Sequence, residues 1–248
     1  MQADMVCATL DDSKTQTRRL QGLDQVNQSP DDWDLVGITI EPKKKDLAST
    51  ARFRHKHESR EEIVIACPYG KPKDLLWIRE TWRPRSWGED FDWMMIEYRA
   101  TQDLLQSGQP GMTKQIDPGD AWDGFTIEYA WTALIEECEK AGCLLESGVF
   151  RLEGANGKFP IKWRPSIFMF RVMSRLSIEI ADIHIERMQS ISKEDAISEG
   201  VPPFDWNDGK SLRPIQAYKR LWDSINKKTH PWDSNPFVWV LKFKRVLS

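Results

Sequence analysis

The stretch SKTQTRRL, residues 13–20, crowds one lysine, two threonines and two arginines into six consecutive positions. Such a set can perform acyl chemistry. A lysine whose pKa is lowered by desolvation or by a neighbouring cation can accept the proton of a threonine hydroxyl and turn it into a nucleophile. Lys14 and Thr17 form that pair if the segment turns so that they meet. If it is extended, Lys14, Gln16 and Arg18 share one side and Thr15, Thr17 and Arg19 the other. Arg19 offers a planar fork suited to a phosphate, a carboxylate or a base edge, and Arg18 is a second candidate substrate-binding cation. The plain alternative is a solvated basic turn.

An acid to complete the set lies far along the chain. SKEDAISEG, residues 192–200, predicts a helix with Ser192 as N-cap, Asp195 three residues on and Gly200 as its stop. Glu199 falls in the last turn, against the negative end of the helix dipole, which is unfavourable by roughly 0.3–1 kcal/mol. That placement is expected to raise its pKa and suit it to proton transfer; the alternative is an exposed glutamate that tolerates the penalty.

The elements that must hold these residues are mostly strands. EEIVIACPYG (61–70) is an apolar run closed by a turn, and DLLWIRETW (74–82) resumes an extended pattern. RLSIEIADIHIERM (175–188) alternates Leu176, Ile178, Ile180, then slips phase to Ile183 and Ile185, which predicts a bulge across Ala181 and Asp182. NPFVWVLKFKRV (235–246) sets Phe237, Trp239, Leu241 and Phe243 against Val238, Val240, Lys242 and Lys244. Helices are fewer. LRPIQAYKRLWDSIN (212–226) places Ile215, Tyr218, Leu221, Trp222 and Ile225 on one face, and WTALIEECEKAG (131–142) also has helical spacing. Strands separated by loops with few helices predict a small β-barrel or bent sheet, mainly β with α/β insertions. The expected organisation is one elaborated domain over 1–248 with a helical and loop insertion at about 86–160.

Composition narrows the function classes. A chain of 248 residues with 40% apolar and 29% charged residues is ordinary for a globular protein, and no apolar run reaches membrane-spanning length. The N-terminus has no signal-peptide pattern, and the scattered cysteines Cys7, Cys67, Cys138 and Cys143 read as reduced thiols, so a cytoplasmic location is expected. Neither they nor the HKH at 55–57, flanked by arginines, form a metal set, and we expect no metal and no cofactor. The net charge of −3 gives no overall positive field, although KKK (43–45) and RFRHKHESR (52–60) are local basic blocks that read first as solvated faces.

Twelve tryptophans supply a second theme. LWIRETWRPRSW (76–87) and KWRPS (162–166) set Trp82 and Trp163 beside Arg83 and Arg164. One reading has the rings packing inward with arginines at the rim. The other is a groove in which indoles stack on unpaired bases and guanidinium groups meet phosphates. Glu80 is expected to neutralise Arg79 or Arg83.

Taken in order, KTQTRR, CPYG, KPKDLLWIRETW, YRA (98–100), KWRPSIFM (162–169), RLSIEIADIHIERMQSISKEDAISEG and FVWVLKFKRV resemble the ASCH domain family of the PUA-like superfamily of small β-barrels, in particular its larger bacteriophage and prophage members. The resemblance leaves about 101–155 and 202–211 uncovered. The small bacterial members carry the signature Gly-x-Lys-x-x-x-x-Arg and are amidohydrolases that deacetylate N4-acetylcytidine. Motif to motif, the resemblance implies catalytic roles for Lys14, Thr17 and Glu199 and a substrate-binding role for Arg19. Two positions depart from the pattern. The signature glycine is Asp12, where a glycine would serve a left-handed turn, and its carboxylate is expected to favour a charged Lys14. Lys73 also stands where a glycine would suit a tight turn.

The resulting expectation is recognition of a modified nucleoside or nucleic acid, with amidohydrolysis of an N4-acylated cytidine as the chemistry. The alternatives are a non-catalytic RNA- or DNA-binding module, and a phage protein that binds and interferes with a host protein.

Overall fold

The structure, a computed structural model, describes residues 3–43, 46–57, 62–88, 93–101, 113–116, 136, 144–146, 149–151, 162–201 and 213–246. In chain order the elements are α1 (Ala3–Leu10), β1 (Gln16–Arg19), α2 (Asp24–Gln28), β2 (Trp33–Lys43), β3 (Asp46–His55), β4 (Glu62–Ala66), β5 (Leu75–Trp77), β6 (Trp82–Gly88), β7 (Met94–Tyr98) and β8 (Thr113–Ile116). They continue with β9 (Leu144–Glu146), β10 (Val149–Arg151), β11 (Ser177–Arg187), α3 (Lys193–Ser198), α4 (Pro214–Asn226) and β12 (Phe237–Val246). The described chain is mainly β, with antiparallel sheets and few helices. It divides into two compact units, one within residues 8–76 and 177–247, the other within 1–7, 77–176 and 248.

The first unit holds a four-stranded sheet of order β1-β12-β11-β5 and a three-stranded sheet of order β2-β3-β4. Strand β12 lies between two neighbours, and its alternation feeds two cores. Phe237, Trp239 and Leu241 pack with Ile180, Ile183, Ile185, Trp33, Ala51 and Phe53. Val238 and Val240 face Met188, Ile191, Ala196, Tyr218, Trp222 and Trp232. Burying each such side chain is worth about 1.5–3 kcal/mol, so a strand apolar on both faces is a central one. The expected phase slip is present: the β11–β12 register shifts between Ile180 and Asp182.

Helix α3 carries the reciprocal cap read from its sequence, with Ser192 Oγ accepting from the Asp195 N–H and the Asp195 carboxylate accepting from the Ser192 N–H. Gly200 closes it at φ +89°. In α4, Tyr218 and Trp222 are buried, but Ile215 and Ile225 are exposed. The apolar stripe predicted over five positions is therefore covered only at its middle, where the second core meets it.

The hairpin β2–β3 was not among the predicted strands. Its register shifts between Leu35 and Gly37, which breaks the alternation. Arg52 and Arg54, at the start of the basic run, lie on the exposed face of the central strand β3 and pair with Glu62 of β4.

The second unit contains a five-stranded sheet of order β8-β7-β6-β10-β9. Most of the expected 86–160 insertion lies outside the described residues, including DPGDAWDG, EGANGKFP and, apart from the helical Glu136, the helix predicted over 131–142. What is described there is chiefly strand rather than helix and loop. Met94–Tyr98 is nearly all buried and so shows no alternation, which leaves a short apolar run ambiguous by period alone.

Candidate functional site

In the first unit the chain bends before β1, where the Lys14 N–H donates to the Ala8 carbonyl at 2.7 Å and Thr15 N–H to that of Ser198 at 2.9 Å. From Gln16 the backbone is extended and paired to β12, so the extended alternative holds and the side chains alternate. Gln16 and Arg18 point toward α3: Gln16 Nε2 donates to the Asp195 carbonyl at 3.2 Å. Arg18 lies opposite Val240 and turns its guanidinium toward Tyr218, 5.9 Å from the ring centre.

Lys14 and Glu199 meet. Lys14 Nζ donates to Glu199 Oε2 at 3.0 Å and to the Glu199 carbonyl at 2.6 Å. Glu199 Oε1 accepts from Arg18 Nη1 at 3.0 Å, and Arg18 Nε donates to Glu186 Oε1 at 2.9 Å. Lys14 is 4% exposed and Glu199 3%. The carboxylate at the end of α3 is thus held by two cations, and one of them also caps the helix carbonyl. A cation at a helix C-terminus is favourable, which accounts for an acid surviving where the dipole opposes it. Burial holds the Lys14 ammonium below its ordinary value; Glu199 opposes that shift, and the charges of Arg19 and Arg18 add to it. Tyr218 is pushed well above the usual phenol value by burial and by the charge of Glu199.

Gly200 permits this contact. A Cβ there would stand 3.1 Å from Ala8 Cβ and 3.2 Å from Lys14 Cβ, on a backbone already in the left-handed region. Lys14 lies against the turn because that atom is missing.

Thr17 is placed differently. It pairs with Leu241, on the face opposite to Arg18. Its side chain is buried and its Oγ1 has no hydrogen-bond partner, so neither Lys14 nor Glu199 is bonded to it. The indole Nε1 of Trp239, which follows the same face of β12 as Leu241, is likewise buried and unpartnered. Two such groups on neighbouring strands are uncommon, because buried polar atoms are nearly always satisfied. Arg19 is exposed, and its Nη1 donates to the Arg18 carbonyl at 3.2 Å.

The role of Arg18 was not foreseen: it holds Glu199 and Glu186 rather than standing open to a substrate. Its alternation with Lys14 was the only local signal, since Glu199 is 181 positions away. Asp12 corrects two expectations. It adopts φ +62° although it is not glycine, so the left-handed turn is kept. Its carboxylate accepts from Arg245 Nε at 2.9 Å and Nη2 at 2.7 Å, and is engaged there rather than with Lys14. Lys73 is left-handed as well, at φ +76°.

In the second unit, Trp82 and Arg164 form an isolated antiparallel bridge, and the four candidate residues pair crosswise. Arg83 lies over the Trp163 ring at 4.3 Å and Arg164 over that of Trp82 at 5.8 Å. Arg83 is bound to Glu97, whose other oxygen accepts from Arg85. Trp82 is buried and Trp163 half-buried, so the Trp82 ring serves packing and gives no free face to a base. Glu80 does not neutralise Arg79 or Arg83: it takes a two-pronged bond from Arg175, Nε to Oε1 at 3.0 Å and Nη2 to Oε2 at 2.7 Å.

Among the described residues no three His, Cys, Asp or Glu side chains gather as metal ligands, and no helix is long and apolar enough to cross a membrane. Comparison of the chain with protein-family models, with curated proteins and with solved structures gave no match.

Proposed function

We propose that the protein is an ASCH-type member of the PUA-like β-barrels that recognises a modified nucleoside and hydrolyses an amide on its exocyclic nitrogen. The observation that carries this reading is the buried Lys14–Glu199 pair at one end of a strand whose Thr17 hydroxyl is buried and unpartnered. An amide substrate supplies what the pair and the hydroxyl lack: a carbonyl for nucleophilic attack and a hydrogen bond for Thr17 Oγ1.

In the proposed reaction the Thr17 oxygen attacks the amide carbonyl while its proton passes to the amine of Lys14, whose burial eases the neutral form. The C–N bond breaks as the proton taken up by Lys14 passes through the Glu199 carboxylate, 3.0 Å away, to the departing exocyclic amine, leaving an ester on Thr17. Water then cleaves that ester and releases the acid. Thr17 Oγ1 lies on the face of β1 opposite to Arg18 and is not bonded to Lys14, so substrate binding must bring the two groups together. Arg19, exposed beside the site, orients the substrate.

The test is turnover of small N4-acylated cytidines, followed by chromatographic release of cytidine. Wild type is expected to turn them over and Thr17→Ala to lose at least about 100-fold, the scale of a lost catalytic group. A Thr17→Ala protein that works at the wild-type rate overturns the reading.

A further inference from the structure

The second unit presents an exposed surface that the Lys14 site does not use. Residues Ser166–Phe168 form a single 3-10 turn after Pro165, and its tip projects Ile167 and Phe168 at 67% and 59% exposure. Adjacent large apolar side chains left this open are unusual on a folded surface. The turn is tied to the segment after β5: Arg79 Nη1 donates to the Ile167 carbonyl at 3.4 Å, and the Arg79 guanidinium lies over the Trp77 ring at 4.7 Å.

The charged residues flanking this tip in sequence are all cations. Residues 162–171, KWRPSIFMFR, contain Lys162, Arg164 and Arg171 and no acid, although the whole chain carries a net charge of −3. Lys162, Arg79 and Arg171 are exposed. The nearby Glu80 is buried and taken up by Arg175, so it does not cancel them.

We infer that this knuckle binds a single-stranded nucleic acid, with Phe168 stacking on an unpaired base and Lys162, Arg79 and Arg171 meeting the flanking phosphates. The argument is one of complementarity. An exposed ring offers a π-face to any unstacked base, and cations around it track the backbone. The exposed charges of the segment, Lys162 and Arg171, are both cations, and the Arg79 guanidinium is bonded to the tip itself, which suits a polyanionic backbone. A duplex hides its base faces, so the strand must be single. This inference is independent of the amidohydrolase reading: binding does not require Lys14, Thr17 or Glu199.

The experiment uses the full chain and a fluorescent single-stranded oligonucleotide of about 16 nucleotides, as long as the largest common single-strand sites, in DNA and RNA forms. Anisotropy is read across a salt series, with a matching duplex and anionic phospholipid vesicles as competitors. Wild type is expected to bind the single strand with an affinity that falls as salt rises. Phe168→Ala should weaken binding about 5- to 150-fold, and Phe168→Trp should restore it. Lys162→Glu with Arg171→Glu should weaken binding further and lower the salt slope by about 0.7 for each phosphate that is no longer neutralised. All these positions are exposed, so folding is not at stake, and circular dichroism checks it. Absence of binding at low salt, binding unchanged by Phe168→Ala, or competition by duplex or vesicles as strong as by unlabelled single strand each overturns the inference.

Discussion

Lys14 Nζ stands 3.0 Å from Glu199 Oε2, a contact between residues 185 positions apart that is almost wholly removed from solvent. Arg18 holds the other oxygen of the same carboxylate. The two cations are therefore not equivalent in what they leave behind when the cluster is broken. Glu199→Gln strands Lys14 and removes one of the two carboxylates bonded to Arg18, and loss of a partner from a buried pair costs about 3–5 kcal/mol. Lys14→Met leaves Glu199 bonded to Arg18 and should cost clearly less. Urea denaturation of the two variants checks the order; equal losses would mean that Arg18 does not hold the carboxylate.

The depressed Lys14 has a consequence for pH. In the unfolded chain it keeps its proton up to the ordinary value of 10.5, and in the folded chain it gives it up at lower pH. Between those two values the unfolded state binds more protons, so stability rises with pH. The burden of the charged ammonium is full below the folded value and gone above the unfolded one. The stability of wild type relative to Lys14→Met is expected to grow as pH climbs toward 10.5. A flat or falling difference would show that the ammonium is not disfavoured by burial.

What was legible in the sequence followed from local period. The β12 alternation, the bulge at Ala181–Asp182 and the capped helix ending at Gly200 each repeat a short-range rule, and each is found in place. The meeting of Lys14 and Glu199 was anticipated from chemistry and resemblance, not from spacing. Three kinds of feature were hidden. The β2–β3 hairpin carries a bulge at Leu35–Gly37 and low-contrast residues such as Ala48, Ser49 and Thr50, so its period fades. The partners of Arg18 and Glu80 lie more than ninety positions away, where no spacing rule reaches. Asp12 and Lys73 occupy left-handed backbone that sequence assigns to glycine, and only the surrounding fold imposes it.

Lys73 and Gly200 make opposite tests of that backbone. Lys73 is exposed at φ +76°, a conformation costing a non-glycine residue roughly 1–2 kcal/mol. Lys73→Gly relieves this at the expense of a more flexible unfolded chain, for an expected net gain of up to about 1 kcal/mol. Gly200→Ala introduces the same strain and a Cβ against Ala8 and Lys14, so it should lose more than about 1–2 kcal/mol. Thermal unfolding of both variants checks the signs; a neutral Gly200→Ala would show that Lys14 does not lie against the turn.

Thr17 offers a test in which stability and activity move apart. Its Oγ1 is buried without a partner, and such a group costs about 1–3 kcal/mol of desolvation. Thr17→Val replaces the hydroxyl by a methyl of similar shape, so the folded state should gain on the order of 1 kcal/mol. The same change removes the proposed nucleophile, and turnover of an acylated cytidine should vanish. A stabilised protein that has lost turnover is what a hydroxyl reserved for chemistry predicts. A stabilised protein with full turnover would remove Thr17 from the reaction, and a destabilised one would mean that its hydroxyl is satisfied in the folded chain.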